Sequence, residues 1–344
     1  MRGGIGDFER RLEENLLFLC PEYNATIMIN FFKSLFLGET EQTDEEKIAR
    51  NFDVLKYDGI KALKAGKTTY AIRCFNEALK LREDAEVLDH LVNAYTREDR
   101  MEEAIVTASR MVEIEPENIQ VLLLRANLNF LAEKYTDVIT DSEKVVALDP
   151  ANSTAYFLQG KARKAAGKQL EAIVGLSQAI RLKEDFAEAR LLRAEIMLDA
   201  GDYKDGMEDA ERAIQLVPEE ENAYLLRGRL QEAMGNYELA EKDYRYVTEL
   251  NPFNEQAYLQ LGSLFIVCEK PGQAIELFDE AIELKPDFAR AYSERGRARL
   301  MQGDKAGSLE DVKKAMELNP DGEEARKISG TYSNFEDMYK NRPL

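Results

Sequence analysis

Between Asn222 and Leu250 the small and apolar positions fall into two runs, each spaced as on one face of a helix. Gly235-Asn236 separates the runs and Asn251-Pro252 ends the second. The pattern predicts one helix over roughly 222–234 and a second reaching Leu250. Glycine takes the left-handed turn conformation cheaply, and proline stops a helix because it lacks an N–H and restricts its neighbour. The same pattern returns at a fixed step. Pro116 and Pro150 lie 34 residues apart, as do Pro218, Pro252, Pro286 and Pro320 in succession. The gap from Pro150 to Pro218 is two steps, with Glu184 standing at the midpoint. Ala155, Ala189, Ala223, Ala257 and Ala291 keep the step, and so do Gly160, Ala194, Gly228, Gly262 and Gly296. A constant period of this length marks a repeat array.

Counted from these marks, eight units begin at Phe52, Ala85, Ile119, Ser153, Ala187, Glu221, Glu255 and Ala289. Each reads as helix–turn–helix, with Gly66, Gly167, Gly201 and Gly303 in the same turn. Small residues stand where helices must approach: Gly160 and its equivalents on first helices, then Ala172, Ala240, Ala274, Ala179, Ala213, Ala281 and Ala315 on second helices. One helix pair cannot bury such a face alone, so the units must stack.

Tyr258, Leu261, Gly262, Phe265, Ala274, Phe278, Ala281 and Pro286 follow the pattern of the tetratricopeptide repeat family, which the chain resembles from residue 52 to about 322. The unit departs from that pattern at its turn, where Glu269-Lys270-Pro271-Gly272 replaces the usual glycine. The resemblance implies an all-α fold: a right-handed αα superhelix, or solenoid, whose concave face is made by the first helix of each unit. The expected division is an extension at 1–42, eight repeats over 43–322, and a capping helix with a tail at 323–344.

Comparison of the units with one another exposes a coupled charge pair. The seventh residue is Arg in four units (Arg125, Arg193, Arg227, Arg295), and in those four the twenty-third is Asp (Asp141, Asp209, Asp243, Asp311). The other four hold Asp58/Cys74, Leu91/Thr107, Gln159/Gly175 and Leu261/Leu277. Joint gain and loss points to a shielded ion pair between the two helices of a repeat. Removing one partner of a buried pair is costly, whereas replacing both with apolar groups can be neutral. Guanidinium–carboxylate distances under about 4 Å are expected in all four. A row of catalytic carboxylates is the weaker reading.

At the ends, Thr43 and Glu46 have capping-box spacing, which starts the first helix before Phe52. Residues 323–339 carry Ala325 and Gly330 at the repeat spacing and read as a ninth first-type helix that caps the stack. The apolar stretch Met28–Gly38 reads as a short helix on the first repeat, with a partner or membrane-surface contact as the alternative. Residues 1–27 have no evident relation to the rest of the chain, which makes Met28 a candidate start; a native peptide containing Asp7–Arg10 would refute that.

Charge narrows the partners. At −19 the chain is unsuited to nucleic acid or an anionic membrane surface, both of which call for clustered Lys and Arg. Cys20, Cys74 and Cys268 are scattered and His90 is the single histidine, so no metal site is expected and the cysteines read as small core residues. No apolar stretch reaches the ~18–20 residues of a membrane span. Leu16–Cys20 lacks the basic start and the length of a secretory signal. A cytoplasmic monomer with no cofactor is expected. An enzyme domain is disfavoured too: nothing outside the repeats exceeds about 42 residues, and no P-loop or G-x-G-x-x-G occurs.

That leaves the repeats to carry the function. Packing uses places 3, 4, 7, 8 and 11 of each first helix, which leaves places 5, 9 and 12 on a separate face. By the family resemblance this face lines the groove. It carries Leu123, Phe157, Leu191, Leu225 and Leu259, then Phe130, Leu198, Ile266 and Leu300. This stripe reads either as a binding surface for a peptide or as packing between neighbouring first helices. Place 9 varies (Asn127, Lys161, Glu195, Arg229, Ser263, Arg297), and Arg229, Arg290 and Arg297 make the C-terminal part locally basic. A clamp for a C-terminal carboxylate, known in some relatives, is not expected: Lys56 matches one place, but Ile60, His90 and Leu124 do not continue it. The expected function is a non-catalytic scaffold or adaptor that binds a protein or peptide in the groove. The alternative is a chaperone-like protein that shields an apolar segment of a client.

Overall fold

The computed structural model describes residues 43–320 and 322. These contain sixteen helices and no strand. The helix expected in residues 1–42 and the cap expected at 323–339 lie outside the described residues. By internal contacts the chain divides into two compact units, the first ending at Pro116 and the second beginning at Glu117.

Unit 1 holds two helix pairs: α1 (Asp44–Lys64) with α2 (Thr68–Leu81), and α3 (Ala85–Arg97) with α4 (Met101–Ile114). Thr43 caps α1 in a full capping box: its hydroxyl accepts from the Glu46 N–H, and the Glu46 carboxylate accepts from the Thr43 N–H. Phe52, Phe75, Val87, Leu88 and Leu91 form its buried core. Lys56 is tied to Asp84 at 3.2 Å and Glu86 at 2.6 Å, so its ammonium joins the two pairs.

Unit 2 holds six pairs. They are α5 (Ile119–Leu131) with α6 (Tyr135–Leu148), α7 (Ser153–Ala165) with α8 (Gln169–Leu182), and α9 (Ala187–Ala200) with α10 (Tyr203–Leu216). The array continues with α11 (Glu221–Ala233) and α12 (Tyr237–Leu250), α13 (Glu255–Val267) and α14 (Pro271–Leu284), and α15 (Ala289–Met301) and α16 (Lys305–Leu318). Within this unit each helix packs on the next in chain order, the arrangement of an α-solenoid. Successive first helices also touch one another, from α5 through α15, whereas successive second helices make at most marginal contact. The first-helix side is thus the closer-packed, inner side of the stack.

Local chemistry sets the helix ends. Asn118, Asn152 and Asn254 cap α5, α7 and α13 by accepting from the N–H groups two or three residues on. Where the cap residue is Phe186 or Phe288, no side-chain cap forms, and the ring is buried in the core instead. Every turn within a pair contains one residue at positive φ. In five this is glycine, and in three it is Asp99, Glu133 or Glu269 at φ 56–58°. The glycine missing from the sequence pattern at Glu269 is therefore replaced in conformation as well as in position. The acidic side chains bear the strain that left-handed backbone imposes on a residue with a Cβ.

Packing between the helices of a pair follows a size exchange that spacing alone does not reveal. Place 8 faces place 24. Gly59, Gly160, Gly228 and Gly262 lie directly under Phe75, Leu176, Tyr244 and Phe278, and a Cβ on any of them would collide with that side chain. Where place 8 carries a Cβ, place 24 is small, as in Ala126/Ser142 and Ala194/Ala210. A large residue at one place is met by a small one at the other, as close packing requires.

Candidate partner-binding face

The Arg–Asp pairs decide which arginines are committed to the fold. All four are two-bonded forks. Arg125 reaches Asp141 at 2.8 and 2.6 Å, and Arg193 reaches Asp209 at 2.6 and 2.8 Å. Arg227 reaches Asp243 at 2.8 and 2.6 Å, and Arg295 reaches Asp311 at 3.0 and 2.6 Å. The carboxylates are buried: Asp141 is 1% exposed, Asp209 2%, Asp243 5% and Asp311 3%. Paired geometry of this kind satisfies both charges away from water. The hydrogen bonds to Asp243 raise the Arg227 guanidinium above its ordinary range, outweighing the lowering effect of burial. In the seventh repeat Leu261 and Leu277 fill the same two places and are buried, the apolar replacement of both partners.

Two of these arginines also reach beyond their own repeat, which the pairing pattern in the sequence does not show. The third guanidinium nitrogen points back to the preceding repeat: Arg193 Nη1 donates to Ser177 Oγ at 2.8 Å, and Arg295 Nη1 to Asp279 Oδ1 at 2.6 Å. A second arginine joins two of the carboxylates, Arg190 at Asp209 (3.1 Å) and Arg299 at Asp311 (2.9 Å). A signal exists for the backward contact, since Ser177 and Asp279 occupy the same place of their repeats.

On the first-helix face of unit 2, the twelve residues singled out from the sequence divide by burial. Leu225 (6% exposed), Leu259 (8%) and Ile266 (5%) belong to the core of the C-terminal repeats and offer little surface. Leu123, Phe130, Phe157, Leu191 and Leu198 are half-buried: their bases pack on the core while part of each side chain stays accessible. Phe157 leans on Phe186, with ring centres 4.9 Å apart. Lys161 Nζ lies over the Phe130 ring at 4.2 Å, within cation–π range. Beside it, Lys164 is bound to Glu195 of the next first helix at 2.6 Å.

Further along the face the character changes. Arg229 is half-buried on α11, Arg290 is exposed at the start of α15, and Arg297 is half-buried further along that helix. Arg297 has Glu294 at 3.6 Å, beyond good hydrogen-bonding distance. Arg229 and Arg290 have no ion-pair or hydrogen-bond partner among the described residues. The nearby Glu232 accepts from the Tyr244 hydroxyl at 3.0 Å. Burial pushes the Glu232 carboxyl above its ordinary range, against the opposing pull of the Tyr244 bond and the Arg229 charge. Burial also raises the Tyr244 phenol. In the next repeat, Tyr258 donates to Glu280 of the second helix at 3.1 Å, and its own phenol is pushed up to about 12, chiefly by burial.

Among the described residues no group of three or more His, Cys, Asp or Glu is placed to hold a metal ion, and no helix is long and apolar enough to cross a membrane.

The tetratricopeptide repeat profile matches residues 221–254, and a second version of it matches residues 269–323. The chain belongs to the tetratricopeptide repeat family. Among solved structures, this repeat protein is similar to PilW, a widely conserved type IV pilus biogenesis factor, at 17% identity and a TM-score of 0.55; the match covers 61% of this chain and 98% of that one. It is similar to the hetero-tetramer Cut9–Hcn1 at 12% identity and a TM-score of 0.53, over 84% of this chain and 55% of that one. A tetratricopeptide repeat protein from Parabacteroides merdae matches at 16% identity and a TM-score of 0.48, over 85% and 98% of the two chains. At these identities PilW and Cut9–Hcn1 establish the fold alone. No curated protein sequence matches the chain.

Proposed function

We propose that this tetratricopeptide repeat protein is a non-catalytic interaction scaffold, and that the first-helix face of unit 2 takes up a segment of a partner protein. The observation that carries the reading is the row Leu123, Phe130, Phe157, Leu191 and Leu198, half-accessible on three adjacent inner helices. Apolar surface kept in contact with water on the inner side of a stack is unfavourable unless something covers it. The polar place-9 side chains Asn127, Lys161 and Glu195 run beside the row and supply the hydrogen-bonding rim that fixes register. Two structural neighbours are consistent in kind: one is described as a pilus biogenesis factor, the other as a hetero-tetramer.

The test is selection of 12-residue peptides from a random display library, followed by titration of the enriched peptides. Leu191→Glu should weaken their binding at least tenfold while leaving the melting temperature near that of the parent. Enriched peptides that bind Leu191→Glu and Phe157→Glu as well as the parent would show that the face is not the site.

A further inference from the structure

Resting on the reading just given, we infer that the C-terminal half of the same face, on α11, α13 and α15, is specific for an extended acidic segment of the partner. The other arginines of these repeats set the standard for comparison. Arg125, Arg193, Arg227 and Arg295 each fork onto a buried carboxylate, and Arg299 joins Asp311 at 2.9 Å. A guanidinium carries five donors in a rigid fork, and half-burying it without an acceptor leaves that capacity unused. Arg229 is half-buried and Arg290 exposed, and neither has a bonded partner among the described residues; Arg297 holds the long 3.6 Å contact to Glu294. The chain has 65 acidic residues against 46 basic ones, so carboxylates to pair with them are in surplus. Three arginines nonetheless lie on one face, one on α11 and two on α15.

Their neighbours on that face are mostly neutral. Asn222, Gln256, Gln260 and Ser263 fill the intervening places, and the carboxylates beside the arginines are Glu232 and Glu294. Glu232 is engaged by the Tyr244 hydroxyl, and its carboxyl is held above the usual range by burial. Three guanidinium groups against two carboxylates leave the local field positive within an acidic protein, which steers an acidic segment here and repels a basic one. Geometry also limits the ligand. Adjacent packed helices sit roughly 8–10 Å apart, so Arg229 and Arg297, two repeats apart at the same place, are separated by roughly 16–20 Å. An extended chain rises about 3.3 Å per residue, so two carboxylates about five or six residues apart would reach both guanidinium groups.

The experiment is to pan the random 12-residue library on the full chain and on an Arg229→Glu/Arg290→Glu/Arg297→Glu variant, and to sequence both pools. The parent pool should be rich in Asp and Glu, spaced about five or six residues apart. The best peptide should lose at least tenfold in affinity on the variant, weaken with added salt, and recover most of its affinity when the same three positions carry Arg→Lys. Circular dichroism melting checks that the variants fold. A parent pool of neutral or basic peptides that still depend on Leu191 would overturn the acidic-segment inference and leave the scaffold reading standing. A pool insensitive to both sets of substitutions, or no enrichment at all, would overturn both.

Discussion

Arg227 and Arg229 lie two residues apart on α11, yet they face different environments. Arg227 is turned between the helices of its repeat, where Asp243 receives two of its nitrogens at 2.8 and 2.6 Å. Arg229 is on the inner face with no bonded partner among the described residues. One repeat further on, the places of Arg227 and Asp243 hold buried Leu261 and Leu277, and that of Arg229 holds Ser263. The interior pair is thus exchangeable only as a unit, because a lone buried charge is far costlier than either complete solution. The face residue varies freely, because water or a partner can meet its needs. Under the proposed function, stability and recognition fall to alternating positions of one helix, and substitutions can separate them.

The largest expected effect is on the interior pair. Asp243→Ala should cost about 3 kcal/mol in urea denaturation, whereas Arg227→Leu with Asp243→Leu should come within about 1 kcal/mol of the parent, as Leu261 and Leu277 already do one repeat on. A double variant as unstable as the single one would break the comparison. Next comes the size exchange between places 8 and 24. Gly262→Ala should destabilise by about 1–3 kcal/mol through collision with Phe278, and adding Phe278→Ala should recover little, because the added Cβ does not fill the space the ring leaves. The reverse change at a small pair, Ala194→Gly, should cost only about 1 kcal/mol, from helix propensity. Smaller again, Glu269→Gly should raise stability by about 1 kcal/mol by relieving the left-handed backbone, while the same substitution at an exposed right-handed helix site should lower it.

The smallest effect depends on pH. Burial raises the Glu232 carboxyl above its ordinary 4.5, so the folded state holds a proton that the unfolded state has lost. The stability contribution is therefore complete below about 4.5 and falls away as pH rises through the folded value. Glu232→Gln should match the parent in acid and gain on it as pH rises through that window. A gain that appears only in acid would reverse the assignment.

Much of this is legible in the sequence, for physical reasons that differ by feature. Helix ends are readable because Pro, Gly and Asn act on their own backbone: Gly235-Asn236 and Asn251-Pro252 bracket α12 as expected, with the helix running Tyr237–Leu250. The Arg–Asp forks are readable because a buried charge must appear with its partner, so the chain's own repeats record the coupling. The Gly228/Tyr244 and Gly262/Phe278 exchange is equally recorded, but it couples residue sizes and has to be sought as such. The face is less legible. Leu191 and Leu225 hold the same place and carry the same side chain, yet one is half-buried and the other buried, because exposure is set by the neighbouring first helix and not by the residue itself. Spacing within one helix contains no information about that neighbour.

The most direct test of the central claim, that the inner face of unit 2 is the recognition surface, is hydrogen exchange of the full chain with and without a saturating selected peptide. Exchange should slow in α5, α7, α9, α11 and α15, with the second helices α6, α8, α10, α12 and α16 unchanged. Protection confined to the second helices would contradict the claim.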